Sequence, residues 1–403
     1  MPAQPPIHAS RAPAWEVFGV FLRLGLTSFG GPVAHLGYFR HELVTRRAWL
    51  TEHAYADLVA LCQFLPGPAS SQVGMAIGLL RAGYAGAAAA WLGFTLPSAV
   101  LLAALGVGLA QGVEGLPHGL LHGLKLVAVA VVAQAVWGMA RLFCTDGWRV
   151  ALALAAAAVL LLYSAVGVQM AVLVVAGCLG LCLPGAPVAR RQDVASYPVK
   201  RRTGLGLLLL FLMLLLGLPW AAQLWPQAAL EVAGVFYRVG ALVFGGGHVV
   251  LPLLQAEVVP RGWVSLDAFM AGYGAAQAVP GPLFTFAAFL GAALPGPLGG
   301  VTGAMLALVA IFLPSFLLVA GALPLWDRLR QNQRAQSALA GINAAVVGVL
   351  LAALIGPVAG SALTHLTDVA VVLLALLALM HWRLPPWAVV LGCGLAGWLL
   401  GML

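Results

Sequence analysis

Two arginines occupy matching places in a chain that repeats itself. Around Arg23 the sequence reads Phe21-x-Arg23-x-Gly25-x-x-x-Phe29-Gly30-Gly31, followed by Glu42, Trp49 and Gln63-x-x-Pro66-Gly67-Pro68. Around Arg238 it reads Phe236-x-Arg238-x-Gly240-x-x-x-Phe244-Gly245-Gly246, followed by Glu257, Trp263 and Gln277-x-x-Pro280-Gly281-Pro282. The offset between the copies stays at 214 to 215 residues. A guanidinium in an apolar segment costs at least ~2.5 kcal/mol at the bilayer centre on insertion scales. Duplicated in register, Arg23 and Arg238 are expected to face inward and hold an anion. The alternative is that each snorkels to an interface or pairs structurally with a glutamate.

The Pro-Gly-Pro breaks offer a second kind of anion chemistry. Proline fits the first turn of a helix, and a helix that restarts after a break presents free N–H groups and a positive dipole end. Ser70 and Ser71 follow the first break and Thr285 follows the second. Two facing helix starts at Gly67 and Gly281, together with the breaks at Gly30-Gly31 and Gly245-Gly246, would make a polar site for a tetrahedral oxyanion. Gln63 and Gln277 precede the breaks by three residues and could donate side-chain N–H bonds, or serve only as glue between helices. Simple packing kinks are the bland reading of the breaks.

Other titratable groups are less specific. Glu42 and Glu257 are candidates for proton carriage, for arginine partners, or for ordinary interfacial acids. His248 can titrate near neutral pH, and a structural histidine is the alternative. Lys125 is a candidate accessory cation, although its counterpart, Asn343, is neutral. The five cysteines show no metal spacing, and no cofactor or metal is expected.

The elements that must position these residues are transmembrane helices. The chain has 403 residues, of which 62% are hydrophobic and 8% charged, against about 25% charged in soluble domains. The apolar runs are long and rich in Leu and Ala, unlike the alternating strands of a membrane barrel. The fold class expected is therefore an all-α polytopic membrane protein with two homologous halves. Residues 1–14 form a polar tail, 15–187 the first repeat, 188–203 a basic cytoplasmic linker, 204–228 a connecting helix and 229–403 the second repeat. The short apolar pieces flanking each Pro-Gly-Pro cannot cross about 30 Å of hydrocarbon alone, so broken or re-entrant helices are expected.

The net charge of +8 does not point to nucleic acid, because the basic residues sit in short loops. Arg40 to Arg47 is basic and its counterpart, Ala256 to Trp263, has one arginine. Gln111 to His118 has no lysine or arginine, and its counterpart, Asp327 to Arg334, has three arginines. Equivalent loops on opposite sides of the membrane imply an inverted repeat, the layout of many secondary transporters.

The duplicated Phe-Gly-Gly, Gln-x-x-Pro-Gly-Pro and tryptophan pattern resembles the chromate ion transporter family in its long two-domain form, over nearly the whole chain. The resemblance implies chromate efflux across the bacterial inner membrane, with chromate resistance as the outcome and sulfate as a chemically similar competitor. The partners expected are a chromate- or sulfate-like dianion and the lipid bilayer; a homodimer is one possible assembly, and the sequence does not supply the oligomeric state.

Two other function classes are weaker. An intramembrane protease would want a Ser/His or paired-Asp constellation, and a reductase a haem-type His pair or Cys cluster; neither stands out. A Walker-type phosphate loop is absent from the sequence. A membrane scaffold does not account for paired arginines and breaks.

Overall fold

The computed structural model describes residues 12–110, 118–163, 166–182, 199–244 and 250–400. Gly245, Gly246 and His248 lie outside the described residues. All regular structure among the described residues is helical.

In the first half, α1 (Ala14–Thr27) stops before the Gly30-Gly31-Pro32 break. α2 (Gly31–Phe39) restarts with Pro32 in its first turn, where a missing N–H costs nothing, and runs on as a π-helical turn, Arg40–Arg46. α3 (Glu52–Phe64) is capped by Thr51, whose hydroxyl accepts from the Ala54 N–H, and leads to Pro66-Gly67-Pro68. α4 (Ala69–Ala110) leaves that break and bends at Ala82 and Gly83, where the backbone is not helical. α5 (His118–Phe143), α6 (Gly147–Leu162) and α7 (Val166–Gly180) complete the half, and α8 (Arg201–Leu224) connects it to the next.

The second half repeats the plan. It holds α9 (Ala228–Leu242), α10 (Val250–Val258) and α11 (Leu266–Ala276). A 3-10 turn, Leu283–Thr285, precedes α12 (Phe286–Ala292) and α13 (Gly300–Ala322). After α14 (Trp326–Leu329) come α15 (Gln333–Ala353), a π turn (Leu354–Val358) and α16 (Ala359–Ala362). α17 (Leu366–Met380) and α18 (Pro386–Leu400) end the half. Five helical runs among the described residues are long and apolar enough to cross a membrane.

Small residues set the packing between the halves. Lipid is as apolar as leucine, so helices in a bilayer gain mainly from close backbone approach. Gly119 and Gly123 on α5 abut the backbone of Gly397 and Cys393 on α18. Gly341 on α15 abuts Ala176 on α7, and Gly348 abuts Ala153 on α6. An added Cβ at any of these glycines would overlap a carbonyl oxygen. Each half thus packs one long helix, α5 or α15, against the last two helices of the other half. A two-fold relation produces this reciprocity, in which i meets j and j meets i.

α8 gives the two halves a common ruler, because its 24 residues span about 36 Å at 1.5 Å per residue. At its start, Gly204 packs on Pro324 and Gly321. The nearby turn holds Arg330, which is ion-paired to Asp57 of α3 at 3.0 Å. At the other end, Pro219 and Gln223 line a cavity with Glu231, Arg238 and Arg261. The Arg330–Asp57 pair and the Arg261 cluster therefore lie toward opposite ends of α8.

Candidate functional site

The two halves meet along α4 and α13, each carried against the first helix of its own repeat. Gly25 of α1 lies so close to α4 that a Cβ there would sit 2.7 Å from the Phe94 carbonyl oxygen and 2.8 Å from that of Gly93. Gly240 of α9 meets the Ile311 backbone of α13 in the same way. Pro97 and Pro314 lie inside these long helices. Each lacks an N–H and so leaves the carbonyl four residues earlier without its helical donor. The serines that follow, Ser98 and Ser315, are buried.

Each Pro-Gly-Pro turn crosses to the other half. The Gly67 N–H donates to the Val243 carbonyl at 2.6 Å, and the Gly281 N–H donates to the Ser28 carbonyl at 3.0 Å. Val243 follows α9 as Ser28 follows α1, so the two bonds are counterparts. Both turns need glycine twice over. The φ angles are +124° at Gly67 and +101° at Gly281, a region that L side chains rarely adopt. A Cβ at Gly67 would lie 2.8 Å from Ser315 Oγ, and one at Gly281 2.9 Å from Ser98 Oγ. Thus the Pro-Ser step of each half faces the Pro-Gly-Pro turn of the other.

The first turn is rich in buried donors. Ser70, Ser71 and Gln72 open α4 and are all nearly inaccessible. His35 Nδ1 is 3.4 Å from Ser70 Oγ, and Gln72 Nε2 donates to the Pro66 carbonyl at 2.6 Å. Ser71 Oγ, Ser315 Oγ and Gln72 Oε1 are buried without a hydrogen-bond partner. Thr95 Oγ1 and Ser28 Oγ are also open, but beside the second turn: the Ser28 carbonyl takes the Gly281 N–H and the Thr95 carbonyl takes the Ser98 hydroxyl. Buried polar atoms are normally satisfied, so a group of open ones marks a place for a ligand or water. The first N–H groups of α4 add to it, since a helix start has no internal acceptors for them.

The second turn is built differently. The chain restarts as a 3-10 turn, and the Thr285 hydroxyl closes on the Pro282 carbonyl at 2.6 Å. The second restart is thus a 3-10 first turn leading into the short α12, unlike the long α4 after the first break. Gln277 is half-buried and lines a cavity of about 50 Å³ with Gly30, Gly31, Gln134, Gly281 and Pro386. Gln63, its sequence counterpart, is exposed. The first Gly-Gly break and the second Pro-Gly-Pro thus share one cavity.

The two arginines have different surroundings, and the structure does not bring them together as an inward-facing pair. Val17, Val20, Phe21 and Leu24 form the buried stripe of α1, at the i, i+3, i+4, i+7 spacing of one helix face. Arg23 is on the other side, exposed. Arg238 is paired with Glu257 through Nη2 at 2.6 Å, and Glu257 also takes Arg261 Nη1 at 2.6 Å. Arg261 extends on to Glu231 at 3.2 Å. The charges of this cluster balance, and it lines a separate cavity of about 450 Å³.

The remaining candidates are held in ion pairs. Glu42 takes Arg46 at 2.9 Å and Arg47 at 2.7 Å. Burial works to raise the Glu42 pKa, but the hydrogen bonds from Arg47 and Arg46 outweigh it and hold the carboxyl below its ordinary value. Lys125 is bonded to Asp267 of the other half at 2.6 Å. Both glutamates are thus arginine partners, one of the three readings their sequence allowed.

Several residues of this region escape a sequence reading. Ser28, His35, Gln134, Ser98 and Ser315 carry no motif of their own. The recurrence of Pro97-Ser98 as Pro314-Ser315 was the available signal for the last two.

Comparison with known proteins bears on what such a site handles. The family described as "Chromate transporter" matches residues 15–181 and 230–398. A "Chromate transport protein" of Pseudomonas aeruginosa is 30% identical over 95% of this chain and 92% of its own length. One from Cupriavidus metallidurans is 28% identical over 94% of this chain and 90% of its own. A "Probable chromate transport protein" of Synechococcus elongatus is 28% identical over 90% and 88% respectively. No solved structure matches the chain.

Proposed function

Because the chain belongs to the chromate transporter family, we propose that it moves chromate across the bacterial inner membrane as a secondary transporter. Efflux is the direction, and chromate resistance is its consequence. The anion is held at the first Pro-Gly-Pro turn by the opening N–H groups of α4 and by Ser70 and Ser71. Gly67 and Gly281 keep the two halves joined there, while Gly30, Gly31, Gln277 and Thr285 line the second turn.

The observation that supports this reading most is the buried Ser71 hydroxyl left open beside the N–H groups that start α4. Neutral donors in a low-dielectric site bind an anion without trapping it, whereas conduction and transport require that the ligand also leave. A dianion leaving a cell that is negative inside gains about 2.3 kcal/mol per charge per 100 mV. Export therefore needs little coupling. Arg238 and Arg261 are already neutralised by Glu257 and Glu231, so they serve structure in this account.

A second reading, sulfate or another tetrahedral oxyanion, is favoured by the same donor set, which reads shape and charge and not the central atom. Purified protein in proteoliposomes, offered chromate, sulfate and molybdate under imposed potentials of both signs, separates the two. Chromate transported faster than sulfate supports the first reading. Sulfate or molybdate transported in preference supports the second, and transport of none of the three overturns both.

A further inference from the structure

Pro97-Ser98 and Pro314-Ser315 recur at matching places in the two long helices, and the transport reading leaves them unused. We propose that Ser315, reaching across from the second half, is an anion-binding residue of the site at the first Pro-Gly-Pro turn; this rests on the transport reading above.

Three observations converge on it. Ser315 is fully buried, and its hydroxyl has no hydrogen-bond partner among the described residues. A buried donor left open belongs to something that is not always present. Second, Ser315 Oγ faces the turn itself, 2.8 Å from where a Gly67 Cβ would be, and the same space borders Gln72 Nε2. Glycine at that place leaves the hydroxyl room to act. Third, the turn is followed by the open Ser71 hydroxyl and the start of α4, so polar groups of both halves border the one turn.

The counterpart gives an internal comparison. Ser98 faces Gly281 as Ser315 faces Gly67, but its hydroxyl donates to the Thr95 carbonyl at 3.0 Å. It is already satisfied by its own helix, as Ser and Thr in membrane helices often are. The second turn also lacks a long helix start. The two serines are therefore equivalent in position and unequal in role, and Ser315 is the one that meets the ligand.

A donor contributed by one half to a site on the other has a consequence for transport. Any relative movement of α13 and the Gly67 turn changes the number of bonds to the anion. Ser315 therefore links occupancy to the relation between the halves.

The test compares wild type, Ser315→Ala, Ser315→Thr and Ser98→Ala as purified full-length proteins. Thermal unfolding is read with and without sodium chromate, and the KM and kcat for chromate are read in proteoliposomes. Ser315→Ala is expected to unfold at the wild-type midpoint without chromate, because the hydroxyl has no structural partner. It is expected to lose the chromate-induced rise in midpoint and to show a KM raised about tenfold, the effect of one lost hydrogen bond to a charged group. Ser315→Thr keeps the hydroxyl and should retain most of the affinity; Ser98→Ala should change KM less than Ser315→Ala. A Ser315→Ala protein with wild-type KM and midpoint rise overturns the proposal. So does a midpoint that falls in the absence of chromate while KM stays unchanged, which would make Ser315 structural. If wild type itself neither transports nor is stabilised by chromate or sulfate, the transport reading has failed, and this inference fails with it.

Discussion

The Gly281 amide donates to the Ser28 carbonyl across the boundary between the halves, at 3.0 Å, and its counterpart bond runs from Gly67 to Val243 at 2.6 Å. Each half thus completes the unwound backbone of the other. An N–H in a broken membrane helix has no water to turn to, so such a bond is part of the cost of breaking the helix there. The breaks and the crossing between halves are consequently one feature. Changes at either glycine are expected to act on both.

Gly67→Ala and Gly281→Ala are each expected to reduce chromate transport by at least about tenfold. A non-glycine residue held at positive φ costs roughly 1–2 kcal/mol, and the added Cβ presses on Ser315 or Ser98. Transport assays in membrane vesicles, normalised to the amount of inserted protein, check this. Undiminished transport in both variants would show that the turns do not form the site.

The arginines make the opposite prediction to the one their sequence suggested. Arg23→Ala should leave transport near wild type, since the side chain faces outward. Glu257→Ala should lower stability by about 3 kcal/mol, because it strands two guanidiniums beside a buried position. Glu52→Ala removes only an exposed pair with Arg40 and should cost under about 1 kcal/mol. Chemical or thermal unfolding in detergent ranks the two glutamate variants. Loss of transport in a well-folded Arg23→Ala protein would return that arginine to the site.

Glu42 has a defined pH behaviour. Its folded pKa is depressed by Arg47 and Arg46, so its contribution to stability is present above the ordinary carboxylate range and is lost as pH falls through the lower folded value. The group stays ionised between about pH 5 and 8. Glu42→Gln should therefore leave the shape of the transport–pH curve in that window unchanged. Flattening of the curve would identify Glu42 as a proton carrier.

Gly123→Leu and Gly341→Leu should each lower the yield of folded protein strongly, because helix backbones touch at both places. Gly138→Leu, where open space surrounds the position, should not. Yields of monodisperse protein after size-exclusion chromatography compare the three. Equal yields would mean that exchange of the terminal helices is not needed for folding.

The helices and their breaks were legible because Gly and Pro punctuate them. The breaks at Gly30-Gly31-Pro32 and Pro66-Gly67-Pro68 bound helices where the residue chemistry places them. The outward direction of Arg23 was also in the sequence, since the Val17, Val20, Phe21, Leu24 stripe sets the inner face of α1. Pairing the two arginines by register alone overlooked that periodicity. The facing of Ser315 and Gly67 could not be read in advance, because it depends on how one half lies against the other. The asymmetry of the two turns was half visible: Ser71 and Thr285 match in position, but the short piece before the next break at Pro295-Gly296-Pro297 leaves no room for a long helix.

The central claim is that the anion sits at the first Pro-Gly-Pro turn, between the start of α4 and Ser315. The most direct measurement is a structure of the protein with bound chromate, using the anomalous scattering of chromium to find it. A peak is expected within hydrogen-bond distance of the Ser70 and Ser71 amides and of Ser315 Oγ. A peak in the Arg238–Arg261 cavity, with none at the turn, would contradict it.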